Sequence, residues 1–310
     1  MNQTFDQLTD EFGIVNVQVA TVWTTPESAR DIDKDGLTNP TNINQWYQHL
    51  SYNERLALCN ENRVQTQALY GEPVIIINEL DEWAEVVLPF QPSKKDKRGY
   101  PGWIPRQQLS MTTKSDWIRE SMAIVIKDKS CFVTQDREQT IETSFATILP
   151  VVTEEQHRVQ IQTPHGLQYI AKEDVQIFST KDGVSRGKGE DIVQVGMPFL
   201  QLDYFWGGMS SFGYDCSGLA YVAHKANGYW IARDAGDQAA SGKEIPFDEL
   251  QSGDLLFFAY EEGKGSIHHV GIYKGNGEML HSPQTGKGIE ITPLVGTKYE
   301  KELCAARRYW

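Results

Sequence analysis

The first ~180 residues are cut into short β-rich runs, each closed by turn or charged residues, and this limits the fold more than any other feature. Residues 15–22, Val-Asn-Val-Gln-Val-Ala-Thr-Val, alternate with period two, as a half-buried strand should. Further strands are expected over residues 73–78, 82–88, 123–126, 145–149, 158–161 and 167–170. Runs this short and this closely spaced build small barrels, because a βαβ sheet would need a long helical pattern between strands. A polar insertion at 29–44 and an expected short helix at 46–59 interrupt the first set.

Residues 179–190 hold three Gly and no large apolar side chain, which reads as a linker. The pattern then changes. Helices are expected over 192–200, ending near Pro198, and over 216–226, with Leu219, Val222 and Ala223 at helical spacing. Strands return at 254–258, 269–273, 278–280 and 303–309. One helical segment followed by an antiparallel sheet is an α+β arrangement. The expected division is a barrel at 1–111 with insertions, a second barrel at 112–178, a linker at 179–190 and an α+β domain at 191–310.

A net charge of −13 gives the chain no general attraction for nucleic acid or anionic lipid, and no basic cluster reverses this locally. No stretch of 18 apolar residues is present, so no membrane span is expected. The polar start, Met1-Asn2-Gln3-Thr4-Phe5-Asp6-Gln7, has no basic and apolar pair of regions like a secretion signal. The expectation is a cytoplasmic protein, or an exported one whose signal has been removed. Cys59, Cys131 and Cys304 read as buried thiols; four distant cysteines make neither a disulfide framework nor a zinc site.

The chemistry concentrates in Tyr204-Phe205-Trp206-Gly207-Gly208 and Gly213-Tyr214-Asp215-Cys216-Ser217-Gly218. Glycines allow a tight turn, after which residues 215–217 start a helix. A cysteine there meets the positive end of the helix dipole and unpaired N–H groups, which favour thiolate and can hold an oxyanion. A capped helix with a buried cysteine is the plain alternative. A thiol nucleophile needs a base. His268 and His269 lie on one expected strand and point to opposite faces, so one of them can face the helix start. His281 can bond that base and fix its tautomer. His49, His157, His165 and His224 read as structural.

Tyr-x-Trp-Gly-Gly, Gly-x-Asp-Cys-Ser-Gly, Ser-Gly-Asp-Leu-x-Phe-Phe at 252–258, His-Val-Gly-Ile-Tyr and a later Met-x-His together resemble the NlpC/P60 family, over roughly 190–310. The resemblance implies a papain-like catalytic domain with Cys216 as nucleophile, His269 as base, His281 as orienting group and Tyr204 near the oxyanion. Tyr100-Pro101-Gly102-Trp103-Ile104 matches the end of a bacterial SH3-like barrel. Two such barrels before the catalytic domain resemble the YkfC type of γ-D-glutamyl-L-diamino acid endopeptidase. That type acts on L-Ala-γ-D-Glu-diamino acid peptides in murein recycling.

From this the resemblance implies that the first SH3-like module caps the cleft, that Tyr100 reaches into the site, and that Asp215 and Ser217 hold the free ammonium of L-Ala. Trp206 would line the cleft. The expected substrate is a small murein peptide with a free N-terminus. The expected enzyme is a monomer that needs no metal or cofactor and has no nucleic-acid or membrane partner. Its rivals are an exported peptidoglycan hydrolase with wall-binding SH3-like modules, a non-catalytic wall-binding protein, and an acyl transferase or amidase on a related scaffold.

Overall fold

The computed structural model describes residues 5–136 and 138–310; residues 1–4 and 137, which fall in the expected barrel domains, lie outside them. The chain divides into two compact units, Met1–Val184 with Ser210–Phe212, and Ser185–Met209 with Gly213–Trp310.

Among the described residues the first unit holds two seven-stranded sheets. The first comprises β1 (Glu11–Val15), β2 (Val19–Trp23), β3 (Val64–Leu69), β4 (Pro73–Leu80), β5 (Trp83–Leu88), β6 (Tyr100–Pro105) and β7 (Leu109–Thr113). Their order is β3-β2-β6-β5-β4-β1-β7. Val22, Ala84, Val86 and Ile104 pack in its core without exposure. The expected single strand at 15–22 is instead the end of β1, a turn and most of β2. Every residue of β2 is buried, so the alternation there does not mark one solvent-facing side.

The expected helix at 46–59 is two helices, α1 (Ile43–His49) and α2 (Tyr52–Asn60). Ser51 separates them as a capping residue: its backbone N–H donates to Glu54 Oε2 at 2.6 Å and its hydroxyl accepts from Glu54 N–H at 3.4 Å. Trp46 pins α1 down. Its indole N–H donates to Asp33 Oδ1 at 3.0 Å and its ring packs 5.8 Å from that of Trp23.

The second sheet comprises β8 (Ser121–Val125), β9 (Lys129–Val133), β10 (Gln139–Ser144), β11 (Ile148–Glu154), β12 (Arg158–Thr163), β13 (Gly166–Ala171) and β14 (Val175–Ser179), in the order β10-β9-β13-β12-β11-β8-β14. Strands β9 and β10 have no counterpart in the expected set. The expected strand at 145–149 is mostly a turn, with Ala146 at φ 63°, and β11 starts only at Ile148. Between the two barrels of this unit, the Tyr70 hydroxyl lies 2.7 Å from His165 Nδ1, which gives His165 a structural place.

The second unit is α+β. Helix α3 (Gly189–Gly196) begins inside the expected linker, and a 3₁₀ turn, Met197–Phe199, follows it. A two-stranded ribbon, β15 (Met209–Ser210) with β16 (Gly213–Tyr214), leads into α4 (Cys216–Ala226). The six-stranded sheet comprises β17 (Lys243–Glu244), β18 (Leu255–Ala259), β19 (Ile267–Gly275), β20 (Glu278–His281), β21 (Glu290–Pro293) and β22 (Leu303–Arg308), in the order β17-β22-β18-β19-β20-β21. Leu256, Phe258, Met279, Tyr299 and Ala306 fill one of its cores. Helix α4 packs on β19, which brings the first turn of the helix beside the strand that carries His269.

Candidate active site

Cys216 is the first helical residue of α4, and Asp215 is the reason the helix starts there. Asp215 is extended, at φ −85° and ψ −179°, and its Oδ1 accepts from Gly218 N–H at 2.6 Å. The loop before it is packed backbone on backbone. A Cβ on Gly218 would stand 2.1 Å from the Gly208 carbonyl oxygen, and one on Gly208 would stand 2.3 Å from that of Gly213. Cys216 is half-buried, and its sulfur takes hydrogen bonds from the backbone N–H groups of Val270 and Ser217.

Arg233, which the sequence reading did not single out, completes this corner. It is 1% exposed and donates to Asp215 Oδ2 at 2.8 Å, to Asp215 Oδ1 at 3.2 Å and to Ser217 Oγ at 2.8 Å. Asp215 also accepts from Gly207 N–H at 3.0 Å and Ser217 Oγ–H at 3.3 Å. In this structure the Asp215 carboxylate serves as helix cap and as counter-charge to a buried guanidinium. No local pattern connects positions 215 and 233, which lie in different elements.

His269 and His281 come from adjacent antiparallel strands, whose register pairs Ile272 with Leu280 and Tyr273 with Met279. A tight turn joins the strands, with Gly275, Asn276 and Gly277 at φ 108°, 54° and 75°. His269 Nε2 lies 2.7 Å from His281 Nδ1. Beyond it, His281 Nε2 lies 2.9 Å from Thr292 Oγ1, and Thr292 donates its hydroxyl to Glu290 Oε1 at 3.1 Å. His269 and His281 are 3% and 1% exposed. The ring of Tyr299 packs 5.4 Å from that of His269 and 5.1 Å from that of His281. Thr292, Glu290 and Tyr299 are also absent from the sequence reading; the alternation Glu-x-Thr in a strand was the available signal.

His268 is directed elsewhere. Its ring stacks on Tyr260 at 4.1 Å and its Nε2 lies 3.4 Å from Glu302. His224 Nδ1 lies 2.8 Å from the Ala220 carbonyl inside α4, a structural position. Tyr204 is buried, its N–H donating to Lys287 O at 2.9 Å, and Trp206 is half-buried. Tyr100 belongs to the first unit, where its ring is 2% exposed in the barrel core and its hydroxyl accepts from the Lys95 ammonium. Cys59, Cys131 and Cys304 are half-buried thiols, less enclosed than expected. Among the described residues no three His, Cys, Asp or Glu side chains group as a metal site, and no helix is long and apolar enough to cross a membrane.

Electrostatics set the resting protonation. Burial pushes the Cys216 thiol up to about 12, and Asp215 adds to this; the Val270 N–H, Arg233 and the Ser217 N–H act the other way. Burial also holds His269 well below the usual imidazole range, with His281, His268 and Lys298 in the same direction. His281 is lowered to about 4 by burial and by Lys298. Desolvation of a charged sulfur thus works against the thiolate that the helix N-terminus favours, and burial works against a charged imidazole beside it.

This geometry has counterparts. Residues 201–308 match the NlpC/P60 family, and residues 125–178 match the YKFC SH3b2 domain. A γ-D-glutamyl-L-lysine dipeptidyl-peptidase of Bacillus subtilis is 48% identical over 291 residues, covering 94% of this chain and 96% of the relative. A protein of the same name from Bacillus cereus is 35% identical, covering 97% and 91%. The crystal structure of an NlpC/P60 family protein from Bacillus cereus superposes with a TM-score of 0.92 at 35% identity, covering 96% of this chain and 99% of that one. A capped cysteine helix, a paired histidine strand and near full-length likeness agree: the chain belongs to the NlpC/P60 family of cysteine peptidases, with SH3-like barrels ahead of the catalytic domain.

Proposed function

We propose that the enzyme hydrolyses the bond between γ-D-glutamate and the diamino acid in free murein peptides, releasing L-Ala-D-Glu from an unblocked N-terminus. The observation that carries this reading is the pairing of His269 Nε2 with His281 at 2.7 Å, next to a Val270 N–H bonded to the Cys216 sulfur. With Nε2 engaged, Nδ1 of His269 is the nitrogen available for the thiol. As Cys216 attacks the γ-carbonyl carbon, its proton passes to His269 Nδ1 and the carbonyl π-electrons move to oxygen. The backbone N–H of Cys216 and the Tyr204 hydroxyl are the proposed oxyanion donors. Collapse expels the diamino acid amine, which takes the proton from His269. Water, deprotonated by the same ring, then frees the dipeptide from the thioester.

Trp206, Asp215 and Ser217 remain proposed substrate contacts, the last two as a pair held by Arg233. The place of action proposed is murein-peptide recycling in the cytoplasm, by a monomer. The test is mass spectrometry of the products of L-Ala-γ-D-Glu-L-Lys and its diaminopimelate counterpart, with Cys216→Ala as control. Masses for L-Ala-D-Glu and the free diamino acid support the reading. Cleavage at another bond, or none, sinks it.

A further inference from the structure

We propose that Glu290, acting through Thr292, fixes the tautomers of both active-site histidines and so keeps His269 Nδ1 free of a proton. The argument is one of donors and acceptors. An ionised carboxylate can only accept, so the contact of 3.1 Å requires that Thr292 give its proton to Glu290. The Thr292 oxygen is then an acceptor toward His281 Nε2 at 2.9 Å, which must carry the hydrogen. A neutral ring with hydrogen on Nε2 has a bare Nδ1. His281 Nδ1 therefore accepts across 2.7 Å from His269 Nε2–H, and this leaves Nδ1 of His269 with its lone pair exposed for the thiol proton. Each contact has one direction, and the direction is imposed by the only group in the row that cannot donate.

The strand makes this row reproducible. Glu290 and Thr292 are two apart on β21, hence on one face, and β21 pairs with β20 in a register that sets His281 opposite Glu290. Glu290 Oε1 also lies 3.7 Å from His281 Nε2, close enough to stabilise positive charge on the rings once His269 holds the proton. Glu290 and Thr292 are positioning residues, since neither reaches the reacting atoms.

The inference rests on the proposed roles of Cys216 and His269, but its first test needs no substrate. Nitrogen-15 NMR of the histidine-labelled full-length enzyme should show His281 and His269 both protonated at Nε2 alone. A resting His281 with its proton on Nδ1 overturns the proposal whatever the substrate proves to be. The second test is kinetic. Thr292→Val removes the hydroxyl at nearly constant shape and should lower kcat by about tenfold or more with little change in KM, as loss of an orienting partner does. Thr292→Ser should restore it. Glu290→Gln should fall between, because an amide can also donate and permits the reversed row. An unaltered kcat in Thr292→Val overturns the proposal, and should that variant not fold, the NMR of the unmodified enzyme decides.

Discussion

Arg233 grips Asp215 through both carboxylate oxygens, at 3.2 and 2.8 Å, at the start of the helix that carries Cys216. Both side chains are nearly without solvent. Arg233→Ala would leave a buried carboxylate without its counter-charge, a change that costs about 3–5 kcal/mol. Urea unfolding should show a midpoint lowered to match, and Arg233→Lys should recover only part of it. An unchanged midpoint for Arg233→Ala would remove the pair from the structural account.

Turnover should disappear in Cys216→Ala and in His269→Ala, by several orders of magnitude on the general experience with nucleophile and base variants, while circular dichroism stays native. His281→Ala should lose less, since that ring orients and does not exchange the proton. His268→Ala should be nearly silent, because His268 engages Tyr260 and Glu302. A dead His268→Ala beside an active His269→Ala would invert the assignment.

The pH dependence follows from two opposite burial effects. A lowered imidazole pKa keeps the base proton-free as pH falls, and His281 stays neutral down to about 4, with His269 likewise held low. The acid limb of kcat/KM should therefore lie below about pH 6.5, the value for an unperturbed histidine. The raised thiol acts in the other direction: alkylation of Cys216 by iodoacetamide should keep climbing above about pH 8.5, the ordinary thiol value. Alkylation that levels off below that pH would restore the thiolate–imidazolium pair as the resting state.

Selectivity for an unblocked end is measured by kcat/KM on L-Ala-γ-D-Glu-L-Lys against its N-acetyl derivative. A site that pairs an ammonium should discriminate by ~100-fold or more, since the neutral analogue leaves polar groups unmatched. Equal rates on both peptides would favour a hydrolase acting on intact wall.

Much of this site could be read along the chain, because its signals are local. Residues 216–226 form the helix their spacing indicates, and the His269 strand is where its β-branched and aromatic neighbours put it. What stayed hidden depends on tertiary pairing. Arg233 finds Asp215 only after the fold closes, and Glu290 and Thr292 join His281 only through the β20–β21 register. At 15–22 the alternation misled, since full burial on both faces erases the meaning of period two. At Ser51 the local signal is present, since Ser-x-x-Glu is a capping box that starts a second helix inside the span of apparent helical spacing.

The turn at Gly275, Asn276 and Gly277 gives the enzyme a built-in gauge. Because His269 and His281 lie on the two arms of one hairpin, their separation is measured by a ladder of backbone bonds a few residues long. Substitutions in distant loops leave that measure untouched, so such loops are free to lengthen or drift over evolutionary time. A single-residue deletion inside β19 would have the reverse effect: alternation would swing His269 to the opposite face of the sheet. Insertion scanning would thus find this hairpin as a short intolerant island bordered by permissive sequence.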